Sequence, residues 1–203
     1  MTHLAPIDFW FSIGSLYTYL SVMRIDRIEE LDGVAFRWRP FNVRAIMAEM
    51  DNRPASKPVK AAYLWRDLER RASKQHVDFN GRPPYPLKEF DLANRIAVVA
   101  ADEGWCDDYA RATYARWFGL NEEAGSEPNV SNSLREIGQD PARALALAQS
   151  DAVGRAYDAA TDEARGLGIF GAPTFAVNGE LFWGDDRLED AVRWLKAGTL
   201  KRR

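Results

Sequence analysis

The spacing of apolar side chains at the start of the chain predicts a strand, a helix and a second strand. Apolar and polar positions alternate in IDFWF (7–11), and aromatic residues stand on both faces, as in a strand covered on both sides. From Leu16, apolar positions follow at i+3, i+4 and i+7, so an amphipathic helix is expected to about Leu31. VAFRWRPF (34–41) alternates again. A strand–helix–strand unit of this length predicts parallel pairing with a right-handed crossover.

Helical patterns dominate the middle of the chain, and strand signals nearly disappear between about residues 42 and 168. Alanine is frequent there, and Asp151, Gly166 and Gly168 stand where a cap and a stop are expected around the last of these helices. The segments predicted as helices are 58–75, 90–103, 107–118, 130–137, 141–149 and 151–166.

Strand signals return near the end of the chain. TFAVNGELFWG (174–184) has two apolar runs around Asn178-Gly179, a pair that accepts positive φ and favours a tight hairpin turn. The apolar spacing after the hairpin predicts a final helix, and Asp186 with Glu189 matches a D-x-x-E capping box.

This order of elements, β-α-β, then helices, then α-β-β-α, predicts an α/β fold with a thioredoxin-like core and a large all-helical insertion. The expected boundaries are residues 1–41 and 160–203 for the core and 42–159 for the insertion. The core would therefore be assembled from both ends of the chain.

Composition narrows the functional classes without naming one. The 203 residues are 46% hydrophobic and 28% charged, as in ordinary globular proteins, and a net charge of −3 argues against a nucleic-acid partner. No apolar run is long enough to predict a membrane span, and the start lacks the pattern of a signal peptide. The single cysteine, Cys106, excludes an internal disulfide and a CxxC redox pair, and no metal site is expected. These features favour the cytoplasm.

Gly14 and Ser15 occupy the junction between the first strand and the first helix, a place where many folds hold a nucleophile or an anion. A serine nucleophile would need a base, yet the two histidines, His3 and His76, stand in unpromising contexts. The alternative is that Ser15 only caps the helix, its oxygen accepting a backbone N–H.

Pro173 marks a second candidate position, between the last insertion helix and the hairpin. The cis form of an X–Pro bond costs only about 0.5–1 kcal/mol, so Ala172-Pro173 is a candidate cis bond. A cis bond would turn the N–H and C=O of Ala172 toward Ser15, across one groove of a thioredoxin-like core. The alternative is a trans proline that merely stops the preceding helix.

Three blocks of sequence carry a resemblance that covers nearly the whole chain. They are DFWFSIGSLYTYL (8–20), DNRP with KAAYLWRDLERRA (51–54 and 60–72), and GIFGAPTFAVNGELFWGDDRL (168–188). In these blocks the chain resembles the 2-hydroxychromene-2-carboxylate isomerases and the kappa-class glutathione transferases, within the DsbA-like thioredoxin group.

The resemblance implies that glutathione is the cofactor and supplies the thiol that the site itself lacks. Ser15 takes the position of the attacking cysteine of the redox relatives, and its hydroxyl and the helix N-terminus would favour the glutathione thiolate. The chain departs from the family at Leu16, where a proline is common, and at Ala172, where a valine is usual. The first change affects the helix start more than the hydroxyl, and the second is conservative if only the backbone is used.

The resemblance also implies where glutathione binds. Asp185 or Asp186 would hold the γ-glutamyl ammonium; the alternative is that Asp186 only caps its helix and Asp185 is solvated. The residues implied in glutathione binding are Ser15, Leu16, Tyr17, Ala172, Pro173, Trp183, Gly184, Asp185 and Asp186.

The second substrate implied by the resemblance is an aromatic carboxylate. Arg53 is the expected carboxylate ligand, because a guanidinium can bind both oxygens, and Asn52 stands beside it at the substrate mouth. Tyr85 would flank the aromatic ring. Lys57 and Lys60 are alternative cations, although they suit a solvated helix face better.

Three functions stay open. The first is a glutathione-dependent isomerase of 2-hydroxychromene-2-carboxylate or a related ring-opened aromatic acid, acting through thiolate addition and elimination. A kappa-like glutathione transferase would use the same thiolate and keep the adduct. A non-catalytic thioredoxin-like binding module is the third, whereas a disulfide oxidase is excluded because no cysteine stands near residue 15. Family members are commonly dimers, so a homodimer is expected.

Overall fold

A computed structural model describes residues 4–52 and 57–201 of the chain. Its first strand, β1 (Ile7–Phe11), leads into α1 (Leu16–Asp32), and β2 (Phe36–Pro40) returns parallel to β1. The predicted βαβ unit is confirmed. Gly33 ends α1 in the left-handed region, at φ 63°, as the Asp-Gly pair indicates.

Helices fill the middle of the chain, as the pattern predicts, and their ends agree with the predicted ends within two residues. The pattern missed one short helix, because seven residues hold too few turns to show a periodicity. Ser150, rather than Asp151, caps the last insertion helix by accepting the Val153 N–H. The helices are α2 (Val43–Glu49), α3 (Pro58–Gln75), α4 (Phe90–Glu103), α5 (Cys106–Leu120), α6 (Asn129–Glu136), α7 (Pro141–Ala148) and α8 (Asp151–Gly166).

The C-terminal hairpin completes a four-stranded sheet of order β2-β1-β3-β4. Strands β3 (Thr174–Val177) and β4 (Glu180–Trp183) are antiparallel, and both turn residues have positive φ, 49° at Asn178 and 85° at Gly179. β3 also pairs antiparallel with β1, where Phe9 and Phe175 lie opposite each other and stack at 5.2 Å between ring centroids. β1, from the N-terminal part of the chain, is thus paired with β3, from its C-terminal part.

The capping box predicted at the final helix is wrong. The last helix, α9 (Leu188–Ala197), begins after a short 3₁₀ turn over Asp185–Arg187, and Arg187 stands at its N-cap without a side-chain cap. Asp186 lies inside the 3₁₀ turn rather than at the N-cap position, which Arg187 occupies.

The division of the chain at residues 42 and 159 stays a prediction, because the insertion helices and the sheet share one continuous core. α4 packs beside β2, and the buried cluster runs from Phe9 and Phe175 in the sheet to Tyr109 and Trp117 in α5. Within the described ranges, none of the helices has the length and apolar composition that crossing a membrane requires.

Candidate active site

Ser15 stands at the N-terminus of α1, directly after the carboxyl end of β1. Gly14 turns the chain there with a φ of 107°, a value that strains a residue with a side chain. The Ser15 oxygen accepts the Thr18 N–H at 3.4 Å and so caps the helix, as predicted. Its hydroxyl also donates to the carbonyl oxygen of Ala172, at 2.8 Å. The hydroxyl is therefore a cap and a donor into the groove at once.

Ala172 and Ser15 face each other although they are 157 positions apart in sequence. The Ala172–Pro173 peptide bond is cis, as predicted. The N–H of Gly184 donates to the carbonyl of Pro173 at 2.9 Å, which joins the segment before β3 to the end of β4. The start of α1 and the segment before β3 therefore stand side by side and form one wall of the groove.

Two side chains of the insertion fix the loop that carries Ser15. Asn94 of α4 is fully buried; its Nδ2 donates to the Ile13 carbonyl at 2.9 Å, and its Oδ1 accepts the Ile13 N–H at 2.7 Å. The Tyr114 hydroxyl of α5 lies 3.1 Å from the carbonyl oxygen of Ser12 and 3.0 Å from that of Ser15. The loop's backbone groups are thus satisfied by helices that come from another part of the chain.

A cleft of about 980 Å³ opens in front of Ser15. Such a volume suits a tripeptide with part of a second small molecule, and most of the lining is apolar. The core contributes Gly14, Ser15, Leu16, Tyr17, Ala172 and Trp183 to the lining. The insertion contributes, among others, Asn52, Lys60, Tyr63, Tyr85 and Phe90.

Two tyrosines of the cleft, Tyr17 and Tyr85, have raised pKa values. Tyr17 donates to Asp67 Oδ2 at 2.8 Å, and burial together with Asp67 raises the pKa of Tyr17 far above its ordinary value. Burial also raises the pKa of Tyr85, while the positive charge of Arg44 acts in the opposite direction. Neither phenol can serve as a base at neutral pH. Both can pack against a ligand or donate a hydrogen bond to it.

An aromatic pair forms the rim of the cleft beside Ala172. Trp183 is half exposed, and its ring meets that of Phe170 edge-on with 4.7 Å between centroids. Exposed apolar rings at the mouth of a cleft are able to cover a bound ligand.

The two neighbouring aspartates differ in their surroundings. Asp185 is 2% exposed, and its Oδ2 accepts from Arg71 at 2.8 Å and from Gln75 at 3.0 Å. Burial raises the pKa of Asp185, while the hydrogen bonds from Arg71 and Gln75 work against that rise. Asp186 is exposed and contacts Arg187 at 3.0 Å. Asp186 is thus the carboxylate open to an ammonium, and Asp185 instead joins the 3₁₀ turn to α3.

A comparison with known protein families identifies the family of this chain. The DSBA-like thioredoxin domain family matches residues 6–196. The chain belongs to this family. Among solved structures, that of a 2-hydroxychromene-2-carboxylate isomerase shares the fold of this DSBA-like domain, with a TM-score of 0.84, 22% identity, and coverage of 96% of this chain and 97% of that one.

Curated relatives of this DSBA-like chain match it along most of their length. A protein of Sphingobium xenophagum named 2-hydroxychromene-2-carboxylate isomerase is 28% identical, over 90% of this chain and 94% of its own. Glutathione S-transferase kappa 1 of Caenorhabditis elegans is 24% identical, over 92% of this chain and 89% of its own.

The DSBA-like site brings together most of the residues singled out in the sequence. Leu16, Tyr17, Asn52, Tyr85 and Trp183 line the cleft with Ser15 and Ala172. Pro173, Gly184, Asp185 and Asp186 lie outside that lining, beside or behind it. Arg53 falls outside the described residues.

Sequence reasoning missed three residues around the site, Arg44, Asn94 and Tyr114. Arg44 stands on the helix that the pattern did not predict, and it lines the cleft. Asn94 and Tyr114 lie within the insertion helices α4 and α5, where only the fold brings them to the loop. A polar residue on an otherwise apolar helix face was the available signal for Asn94.

Proposed function

We propose that this DSBA-like protein is an enzyme, a glutathione-dependent isomerase of 2-hydroxychromene-2-carboxylate or a related ring-opened aromatic acid. One observation carries the proposal: the Ser15 hydroxyl, at the N-terminus of α1, is hydrogen-bonded at 2.8 Å to the Ala172 carbonyl, and both residues line the cleft. The relatives named as isomerases and glutathione transferases, matched along nearly their whole length, support it.

Glutathione fits this cleft with its sulfur at Ser15. Its cysteinyl backbone would pair with the N–H and C=O of Ala172, as an added strand does. The γ-glutamyl ammonium would lie toward the exposed carboxylate of Asp186, and Trp183 would cover the peptide between these two ends. The chemical group that glutathione would supply to the site is a thiol.

When glutathione hydrogen-bonds to the backbone of Ala172, the Ser15 hydroxyl becomes able to donate its hydrogen bond to the glutathione sulfur. A hydroxyl has one proton to donate, and in the structure it is directed to the Ala172 oxygen. When a glutathione N–H donates to that oxygen, the Ser15 hydroxyl can turn toward the sulfur. A thiol with a pKa of about 8.5 is then stabilised as thiolate by this hydrogen bond and by the positive end of the helix dipole.

The chemistry that follows is addition and elimination. Glutathione bound here would supply a nucleophile that adds to a conjugated carbon of the substrate and is later eliminated, so it would be regenerated. Ser15 would hold the sulfur as thiolate, and the backbone of Ala172 would fix its position in the cleft.

A kappa-like transferase is the second candidate, because a relative named glutathione S-transferase kappa 1 matches along 92% of this chain. The same thiolate would attack an electrophile with a leaving group, and the product would keep the sulfur. Ser15 and Ala172 serve both reactions equally, so the electrophile distinguishes them.

Ser15→Ala is the decisive variant, and Ser150→Ala is its matched control. Each serine caps a helix by accepting a backbone N–H, so each variant should lose about 1 kcal/mol of stability. Only Ser15→Ala removes the donor to sulfur. We expect it to raise the pKa of bound glutathione, followed by the ultraviolet absorbance of the thiolate, and to lower isomerase kcat at neutral pH about 10- to 1000-fold.

The isomerase assay uses the absorbance change of 2-hydroxychromene-2-carboxylate with catalytic amounts of glutathione. Stoichiometric consumption of glutathione would instead indicate the transferase. If millimolar glutathione does not raise the melting temperature, the protein is a binding module without this cofactor. Equal thiolate absorbance and rates for wild type and Ser15→Ala would remove Ser15 from the mechanism.

A further inference from the structure

Arg44 places a cation inside the apolar part of the cleft, on a helix that sequence patterning did not reveal. The guanidinium lies over the face of Phe90, with 3.9 Å from Cζ to the ring centroid, and one of its N–H groups donates to the Leu87 carbonyl at 3.0 Å. The side chain is half-buried. These two contacts fix the plane of the guanidinium against the cleft floor.

Phe90 also touches the loop that carries Ser15. A Cβ placed on Gly14 would stand only 2.9 Å from Phe90 Cδ2, so the Phe90 ring packs directly on the Gly14 backbone. Arg44 and the Ser15 junction are therefore separated by a single aromatic ring. An anion held by Arg44 and a carbon attacked at Ser15 would have to lie on one small molecule.

The lining between these two points is suited to a flat ring. Tyr85 lies close enough to Arg44 for the positive charge of Arg44 to act on its hydroxyl. Apolar surface comes from Met47, Leu64 and Pro86. Glu89 and Asp91 also line the cleft and disfavour an anion beside them. Among the described lining residues Arg44 is the one cation that is half-buried, so it is the group that can offset these charges for a bound carboxylate.

We propose that Arg44 determines the specificity of this site for planar aromatic acids, by binding the carboxylate about one ring away from the carbon that the sulfur attacks. This assignment rests on the proposed function and adds to it the residue that selects the second substrate. The other cations among the described lining residues, Lys60 and Lys88, are both exposed. Lys60 Nζ donates to Asn52 Oδ1 at 2.6 Å, and Lys88 Nζ lies 3.6 Å from Glu123 Oε2. Arg44 is positioned deeper and can bind both carboxylate oxygens.

The test compares an acid with its uncharged counterpart. For Arg44→Met we expect KM for the aromatic carboxylate to rise about 10- to 100-fold, because charge-assisted hydrogen bonds are lost. KM for the methyl ester of the same acid and the affinity for glutathione should change less than about twofold. Arg44→Lys should recover part of the loss, since it keeps the charge without the planar fork. Arg143→Met, which removes an exposed guanidinium paired with Glu103 away from the cleft lining, is the matched control and should leave all values unchanged.

A binding measurement separates this proposal from the proposed function. Salicylate, a flat aromatic carboxylate, is titrated into the glutathione-loaded protein and compared with salicylamide. Salicylate binding that Arg44→Met weakens and Arg143→Met preserves supports the assignment of Arg44, even if no isomerase turnover is found. Equal salicylate affinity and equal KM for the acid in wild type and Arg44→Met would overturn it, while isomerase turnover by both proteins would leave the proposed function intact.

Discussion

Ser15 shows how much chemistry one hydroxyl can hold at a helix start. Its oxygen caps α1 through the Thr18 N–H, and its proton is directed to the Ala172 carbonyl. A ligand that satisfies Ala172 changes the second contact and leaves the first. The helix end therefore stays capped while the donor changes partner, which explains how a small side chain can serve both stability and sulfur chemistry.

Gly14 precedes this hydroxyl and tolerates no side chain. Its φ of 107° strains any L residue, and Phe90 stands 2.9 Å from where a Cβ would lie. We expect Gly14→Ala to lose about 2–3 kcal/mol of unfolding free energy and most of the melting-temperature rise caused by glutathione. Urea denaturation and thermal shift measure the two effects.

The control for Gly14 is Gly33→Ala, at the other end of the same helix. Gly33 also has positive φ, 63°, but nothing lies within 4 Å of a Cβ built there. The Gly33→Ala variant should lose about 1 kcal/mol of unfolding free energy, and its melting-temperature rise with glutathione should equal that of the wild type. Identical losses for the two variants would show that the Phe90 contact does not constrain the loop.

At the scale of elements, the Ser15 loop is held by α4 and α5 rather than by its own strand and helix. Asn94 pairs with both backbone groups of Ile13, and Tyr114 reaches the carbonyls of Ser12 and Ser15. Because these partners are buried, their hydrogen bonds are protected from water and keep the loop in one geometry.

Tyr114→Phe tests this support with the loss of a single oxygen. It removes the one proton that Tyr114 donates to this pair of carbonyls and should cost about 1 kcal/mol, since the Ser12 carbonyl still accepts the Ser15 N–H at 3.0 Å. Tyr109→Phe on the same helix is the matched control, since it loses a comparable buried bond to the Ala93 carbonyl at 3.2 Å. We expect Tyr114→Phe alone to weaken glutathione binding several-fold in calorimetry. A similar weakening by Tyr109→Phe would indicate a general loss of stability instead.

The elements themselves were largely readable from the sequence. The predicted segments 58–75 and 90–103 coincide with α3 and α4, because their apolar positions repeat over several helical turns. The Asn178-Gly179 turn was predicted by its need for positive φ. α2 was missed because it is short, and the start of α9 was misplaced because a D-x-x-E pattern can also span a 3₁₀ turn.

The site was less predictable than the fold. Ser15 and Ala172 stand at element ends with recognisable chemistry. In contrast, Arg44 and Asn94 gain their roles only through contacts with residues far away in sequence. Two adjacent aspartates likewise look alike in sequence, and only the position of Arg71 shows that Asp185 is the buried one.

At the scale of the whole molecule, the pair of Arg71 and Asp185 joins the insertion to the end of the sheet. Asp185 is buried, and Arg71 of α3 contacts it at 2.8 Å. Without Arg71, the buried negative charge of Asp185 is balanced less well, because the remaining cation, Arg24, lies 3.9 Å from the carboxylate. We expect Arg71→Met to lose about 3 kcal/mol at neutral pH.

The pH dependence of this loss identifies Asp185 as its cause. Burial already raises the pKa of Asp185 from 3.8, and without Arg71 the pKa should rise further. The folded state then binds this proton more tightly than the unfolded chain does. The loss of stability relative to wild type is therefore full above the folded pKa of Asp185 in the variant. It shrinks as pH falls from there toward the folded pKa in the wild type, since the unfolded chains titrate alike.

Urea denaturation at neutral and acidic pH follows this dependence. The double variant Arg71→Met with Asp185→Asn should regain stability at neutral pH, since no charge is then left buried alone. Arg66→Met, which breaks an exposed pair with Glu69 on the same helix, should cost less than about 0.5 kcal/mol at either pH. A neutral-pH loss for Arg71→Met no larger than that control would contradict the role of the buried pair.

The cleft has one wall from each part of the chain, and this division has a consequence for engineering. Ser15 and Ala172 belong to the sheet side, whereas Arg44, Tyr85 and Phe90 belong to the helical side. Grafting a different set of helices onto this sheet would exchange the electrophile and retain the sulfur activation. Such a chimera would need to carry Asn94, Tyr114 and Arg71 along with the graft, because these side chains fasten the two parts to each other.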